Sequence, residues 1–521
     1  MKSTAFLVGF LSFFFMACQP PAQEEAPQRP NILFIMADDH AQRAISAYTD
    51  ELIQTPNLDR IAKDGMLFRN SFVTNSICAP SRAAILSGKY SHINGKLDNL
   101  DTFDGDQWTF IKELQSAGYY TSVIGKWHLK SAPQGFDNWH ILIDQGDYYS
   151  PEFVHNGDTL PRPEGYTTSI ITDLALEELK TRSTQSEEPF CMLYWHKAPH
   201  RNWMPDLQDL PGLTEKEYPE PANLRDTYEG RPAAEAADMR VANMFTSMDH
   251  KLIEPYISED ENSGGQPSFN PKRNWERNLD LLTPAQREAW EPFLQDIGES
   301  YQQAVAEGKE LEWRYQRYMQ DYLASIASVD RNVGRVLDYL DESGLAENTL
   351  VIYTSDQGFY LGEHGWYDKR FMYEESHRTP LMIRYPAAVQ ANSTTDELVL
   401  NIDLGATLLD FAGLNIPEAV QGRSLRPLLE AQSPDDWRKD VYYRYYEYPH
   451  GWHAVAKHEG VRGERYKLIH FTEPDEFFEL YDLETDPTEM NNRYDDPALA
   501  EVQAELMERL SALRQELQVP D

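Results

Sequence analysis

Four stretches of the chain share one pattern, an apolar run that stops abruptly at polar residues. "NILFIMADDH" (31–40) stops at Asp38 and Asp39, and "YYTSVIGKWHLK" (119–130) at Lys126 and His128. "PFCMLYWHKAPH" (189–200) stops at His196, Lys197 and His200, and "NTLVIYTSDQGF" (348–359) at Asp356 and Gln357. Short continuous apolar runs that alternate with helical segments predict buried parallel strands. The helical segments include "TPNLDRIAKDGM", "TFIKELQSAG", "SIITDLALEELKT" and the long "YMQDYLASIASVDRNVGRVLDYLDESG". After "GRSLRPLLEAQ" the pattern changes to β-rich runs, "DVYYRYYEY", "GVRGERYKLIHF" and "FFELYDL", and the chain closes on the helical "PALAEVQAELMERLSALRQEL". The expected organisation is an α/β body over 30–430 followed by a C-terminal subdomain over 431–521. A polar insertion rich in Pro and Glu, from about 207 to 300, either walls a pocket or covers surface.

Ligands of open α/β sheets bind beyond the carboxyl ends of the strands, where all four polar clusters fall. Neighbouring residues of a regular strand point to opposite faces. Asp38 and Asp39 therefore converge only where the strand ends and the chain turns, and the same holds for Asp356 and Gln357. Three carboxylates and an amide carbonyl make a hard oxygen site suited to Ca²⁺, with Mg²⁺ second. Acidic residues also end strands and cap helices without any ion. Two such pairs in one sheet favour the metal.

The charge excludes one class of partner. The chain has 47 basic and 85 acidic residues and a net charge of −38, which disfavours nucleic acid. A small anion in a locally basic pocket stays open, because surface charge is screened beyond about 8 Å. With 41% apolar and 12% aromatic residues, the composition is that of a globular protein. The N-terminal "MKSTAFLVGFLSFFFMAC" has a Lys, an apolar run too short to span a membrane, and then Cys18. It reads as a signal peptide over 1–18, with Cys18 a lipid-attachment residue and 19–29 a Pro-rich linker; plain secretion is the other reading. Export to the periplasm or cell surface follows from either. Cys78 and Cys191 remain. Cys191 reads as a small buried hydrophobe, and Cys78 either pairs with it or is kept for chemistry.

Cys78 opens "CAPSRAAILSG", where Pro80 suits the first turn of a helix and Gly88 its end. A helix N-terminus there would attract an anion, and Arg82, one turn in, could pair with a neighbouring oxyanion. Cys-x-Pro-Ser-Arg followed by a short apolar stretch and Ser-Gly resembles the signature of the type I sulfatases, whose fold belongs to the alkaline-phosphatase superfamily. The resemblance runs from about Asn31 to Asn492. It implies a large mostly parallel sheet flanked by helices, with a smaller C-terminal antiparallel sheet and terminal helix. It also implies oxidation of Cys78 to formylglycine by a formylglycine-generating or anaerobic sulfatase-maturating enzyme. The hydrated aldehyde has two hydroxyls: one attacks sulfur, and the other then loses its proton to expel sulfate. Asp38, Asp39, Asp356 and Gln357 resemble the family's calcium ligands, with residue 78 also touching the metal; Gln357 departs from the more usual Asn or His. Lys126 and His128 match residues that hold sulfate and assist elimination, and Lys369 matches a second sulfate-binding lysine. His200 matches the histidine that protonates the leaving oxygen, with His196 the alternative. Together with the ion, Arg82, Lys126 and Lys369 would offset charge on the sulfuryl group. His364 reads as a structural loop histidine.

The segments "QGDYYSPEF", "HKAPHRNWMP" and "HEGVRGERYKLIHF" resemble the N-acetylglucosamine-6-sulfatase branch. That resemblance implies a host glycosaminoglycan or mucin carrying 6-O-sulfated N-acetylglucosamine or N-sulfoglucosamine. The poverty in Lys and Arg points to an exo-acting pocket for one terminal sugar. His458 and Arg462 are candidates for contacts to its hydroxyls, and the tract Val441–His453 either stacks on a sugar or packs as a strand. Two rivals stand beside this reading: a formylglycine-dependent phosphodiesterase or phosphonate hydrolase, and a non-catalytic calcium-dependent glycan-binding lipoprotein.

Overall fold

A computed structural model describes residues 29–185, 188–256, 269–432 and 434–520. The signal segment and Cys18 lie outside the described residues. The four apolar runs form strands β1 (Asn31–Ala37), β2 (Tyr120–Lys126), β3 (Phe190–Trp195) and β4 (Thr349–Ser355). They lie side by side and parallel in the order β4-β1-β3-β2, at the middle of a ten-stranded sheet. The strand Asn138–Leu142 continues the parallel set beyond β2, while Leu381–Arg384 pairs antiparallel with β4.

Continuous apolarity follows from burial on both faces. Leu33, Ile35 and Ala37 of β1 enter one core with helices α2 (Thr167–Gln185) and α3 (Glu310–Glu342). Ile32, Phe34 and Met36 enter a second core with α1 (Cys78–Ser87) and the helices Phe110–Ser116 and Asp403–Phe411. A parallel strand covered by helices on both sides has no polar face to offer. All ten residues of α1 are buried, and its C-terminus closes on Gly88 in the left-handed region (φ +62°), whose N–H donates to Ala84 O at 2.8 Å.

The C-terminal runs form an antiparallel sheet of β5 (Asp440–Tyr445), β6 (Lys457–Gly463), β7 (Tyr466–Glu473) and β8 (Phe477–Asp482), followed by α4 (Ala500–Glu516). Its inner face shares an apolar cluster with the α/β body, in which Tyr443, Tyr445 and Phe471 meet Ile77, Cys78 and Phe371. Among the described residues of the insertion, helices form at Pro271–Asp280 and Pro284–Glu307, and loops with short helical turns precede them.

One backbone feature aims the site. Gly125, just before Lys126, has φ +116°, and a Cβ there would lie 1.8 Å from Trp195 O of the neighbouring strand. Only glycine allows this approach. Gly125→Ala is expected to cost about 3 kcal/mol of stability, read as a lower urea midpoint; an unchanged midpoint would refute the close approach.

Candidate active site

The strand ends bring the acidic residues together. One oxygen each from Asp38, Asp39 and Asp356 lie within 4.8 Å of one another, and all three residues are buried. The turn after β1 puts Asp39 at φ +67°, and its N–H donates to Asp356 Oδ1 at 3.1 Å. Both aspartates of the pair thereby face the same place. His128 (φ +60°), Asp368 (φ +78°) and Arg370 (φ +104°) adopt the same costly region nearby. Such backbone conformations persist where the surroundings over-determine them, as at functional sites.

Three cations face the three carboxylates. Arg82 donates from Nε and Nη2 to Asp356 Oδ2 at 3.0 and 2.9 Å, and from Nη1 to Lys126 O at 2.6 Å. The oxyanion expected beside Arg82 is thus this carboxylate. Lys126 contacts Asp38 Oδ2, and Lys369 spans both oxygens of Asp39 at 2.6 and 2.8 Å. Burial lifts the Asp39 carboxyl to about 7 against the pull of Lys369, with Asp38 and Asp356 adding to the rise. Burial and Asp38 likewise lift Asp356 to about 6. Burial opposes ionisation of Asp38 too, yet Lys126, His200, Arg82 and Lys369 together hold its carboxyl well below the ordinary range.

These residues fit a divalent cation. Gln357 donates its amide nitrogen to Asp39 Oδ1, which leaves Oε1 buried without a partner. Asp38 Oδ1 is also buried and unpartnered. Orphaned buried oxygens beside mutually repelling carboxylates are what a hard cation relieves.

Cys78 stands at the start of α1, 1% exposed and unpaired; Cys191 is also a free cysteine. Burial raises the Cys78 thiol above its ordinary pKa. Its Sγ lies 3.3 Å from His128 Nδ1 and 3.7 Å from Asn99 Oδ1. Gln145 settles which histidine nitrogen faces it. Lys126 donates to Gln145 Oε1, so the amide nitrogen is turned toward His128 Nε2, at 3.0 Å. An amide nitrogen only donates, so His128 Nε2 accepts and Nδ1 carries its hydrogen toward residue 78. His200 is fixed similarly: its Nδ1 donates to Arg201 O at 2.5 Å, leaving Nε2 as the nitrogen near Asp39 Oδ2, at 3.8 Å.

These groups border a cleft of about 250 Å³, lined among others by Asp39, Cys78, His200 and Lys369. The insertion supplies part of its wall through Met248, Asn274, Arg277 and Asn278. Phe269 meets Trp452 of the C-terminal part edge-on, ring centres 5.1 Å apart. His196 is fully buried against Tyr194 and stays outside the lining. His364 is a buried loop residue held by Asp226 and Arg231.

Two sequence expectations are corrected. His458 is 1% exposed inside the C-terminal sheet, where Nε2 accepts from Met372 N–H at 3.1 Å and Nδ1 donates to Ala456 O. Arg462 is 4% exposed and bound to Glu374. Neither reaches the cleft, because β6 turns both inward. The aromatic tract divides: Tyr443 and Tyr445 are core, while Trp452 lines the cleft and His453 Nε2 lies 2.7 Å from Asp368 Oδ2. Asn99, Gln145, Lys197, Asp368 and Arg370 also line the cleft, and no sequence motif had marked them for a role.

The general sulfatase family model matches residues 30–414, and a model described as N-sulphoglucosamine sulphohydrolase, C-terminal, matches 362–516. The chain belongs to the sulfatase family. It is 47% identical to an N-acetylglucosamine-6-O-sulfatase of Bacteroides thetaiotaomicron over 98% of this chain and 91% of that protein. It is 28% identical to the human N-acetylglucosamine-6-sulfatase over 80% of this chain and 67% of that one. The solved structure of BT4656 in complex with its substrate D-glucosamine-2-N,6-O-disulfate superposes with a TM-score of 0.89 at 46% identity, covering 95% of this sulfatase and 99% of that chain. A phosphonate monoester hydrolase of Agrobacterium radiobacter, at 20% identity and a TM-score of 0.69 over 94% and 96% of the two chains, shares the fold alone. This sulfatase is a sulfuric ester hydrolase.

Gln145→Leu removes the link that orients His128. We expect kcat to fall about 10- to 100-fold with KM little changed; full activity would refute the tautomer assignment.

Proposed function

We propose that this sulfatase removes the 6-O-sulfate of terminal N-acetylglucosamine or N-sulfoglucosamine units in a host glycosaminoglycan or mucin. The observation that carries this reading is the cation-lined cleft around residue 78, with Lys197, Lys369 and Arg370 in its wall. It supports a small anionic ester, and its volume falls below that of a drug-sized ligand site. The likeness to 6-O-sulfatases over nearly the whole length supports the 6-position.

Asp38, Asp39, Asp356 and Gln357 would hold a calcium ion, with residue 78 beside it. Bound there, the ion would add positive charge where the sulfuryl oxygens gather charge. Conversion of Cys78 to formylglycine by a maturation enzyme would supply the hydrated-aldehyde nucleophile. The chain's own residues do the rest. Lys126 and Lys369 hold sulfate oxygens, and Arg82 keeps Asp356 ionised and in place. His128 directs its Nδ1 hydrogen at residue 78 and orients that side chain for the reaction. His200 presents Nε2 as the acid for the leaving oxygen. Burial, then Lys126, pushes its imidazole well below the ordinary pKa in the free protein. An anionic ester seated between the cations draws the proton back. Asp368 and Arg370 line the cleft and suit sugar hydroxyls, with His453 bonded to Asp368. Among the described residues no helix is long and apolar enough to cross a membrane. Export with attachment through Cys18 is the reading for the N-terminal segment, and the sequence alone supports it.

The test is sulfate release from a panel of mono-sulfated hexosamines by matured protein. We expect release from 6-sulfated glucosamines, and at least a 1,000-fold loss in Cys78→Ala, on the order of removing a covalent nucleophile. Release confined to 3- or 4-sulfates would overturn the substrate, and activity retained in Cys78→Ala would overturn the mechanism.

A further inference from the structure

Lys197 follows β3 in the loop that carries His200, is 4% exposed and lines the cleft. A buried ammonium is costly unless an anion faces it. Among the described residues, no carboxylate oxygen lies within 4.0 Å of it. Its Nζ donates one long hydrogen bond, 3.5 Å, to Arg201 O, a carbonyl that already accepts from His200 Nδ1. Its other neighbour is the face of Tyr148, 4.6 Å to the ring centre, and the Tyr148 hydroxyl is turned away to donate to His200 O.

The acid of this wall is already taken. Asp147 accepts from Arg162 at 2.9 Å and from Arg277 at 2.7 Å, so it pairs with two guanidinium groups before Lys197 is counted. Burial and repulsion from Lys126 lower the Lys197 ammonium to about 7. An anion seated in the cleft against Lys197 relieves it. In a chain of net charge −38, a buried cleft lysine with no carboxylate in ion-pair range runs against the average and marks a place for a negative ligand.

We propose that Lys197 binds a sulfate oxyanion of the substrate, as a further substrate-binding cation beside His200. The inference rests on the sulfatase reading above. The oxyanion has two possible sources on one sugar: the 6-sulfate being cleaved, or a second sulfate on the glucosamine nitrogen.

Lys197→Met keeps the length of the side chain and removes the charge. Three measurements test it: melting without ligand, the melting shift produced by inorganic sulfate, and kcat/KM on N-acetylglucosamine-6-sulfate and N-sulfoglucosamine-6-sulfate. We expect an equal or higher melting temperature, a smaller sulfate-induced shift and a fall in kcat/KM of at least about 30-fold, partly recovered by Lys197→Arg. A fall on both sugars assigns Lys197 to the cleaved sulfate; a fall on the N-sulfated sugar alone assigns it to the second. Unchanged kinetics with an unchanged sulfate shift would overturn the proposal. So would a lower melting temperature with activity lost only in proportion to unfolding, which marks a structural lysine. A wild-type protein inert on every 6-sulfated sugar defeats the proposed function instead, and the sulfate shift still decides Lys197.

Discussion

Crowding of like charge at the carboxyl end of two adjacent strands is the constraint on which this molecule turns. Asp38, Asp39 and Asp356 are buried within 4.8 Å of one another, where three ionised carboxylates would repel strongly in a medium of low polarity. Arg82, Lys126 and Lys369 answer them one for one. The balance is local and neutral before any ligand arrives. A divalent cation then leaves surplus positive charge at residue 78, and a sulfate ester is the complementary guest. Lys197 extends the same logic up the cleft wall.

Much of the architecture serves to hold that cluster still. β1 and β4 are neighbours, so Ala37 pairs with Ser355 and the acidic residues that follow emerge together. Gly125 lets β2 press against β3 and deliver Lys126 to the same point. α1 is buried along its whole length, which fixes Arg82 and residue 78 relative to the sheet. The ion pair of Arg201 with Asp249, two bonds of 2.7 Å, ties the His200 loop to the insertion. Through that tie, a segment with no catalytic residue becomes a wall of the pocket.

The strands and the acidic cluster were legible because apolar runs buried on both faces leave an unambiguous pattern, and because two acidic pairs end strands of one sheet. Helix α1 was legible from Pro80 and Gly88. What failed was facing. In the C-terminal sheet, His458 and Arg462 are polar residues on one face of β6, the kind that usually meets solvent, yet the sheet buries them against Phe371 and Glu374. Alternation says that two faces differ, not which face meets a neighbour. Asn99, Gln145 and Asp368 lie in short loops and turns without periodicity, and their roles come from long-range contacts. The insertion gave no signal of its pocket face because its polar composition hides two helices. Lys197 stood in view between two histidines, but its lack of a partner is a property of space.

The central claim is that the three carboxylates and Gln357 assemble one cation site beside residue 78. Metal analysis of purified protein after dialysis against trace calcium tests it most directly. One calcium per chain is expected in the wild type and none in Asp356→Ala with the fold intact by circular dichroism. A folded wild type that retains no divalent ion, or a variant that keeps its full equivalent, would contradict it.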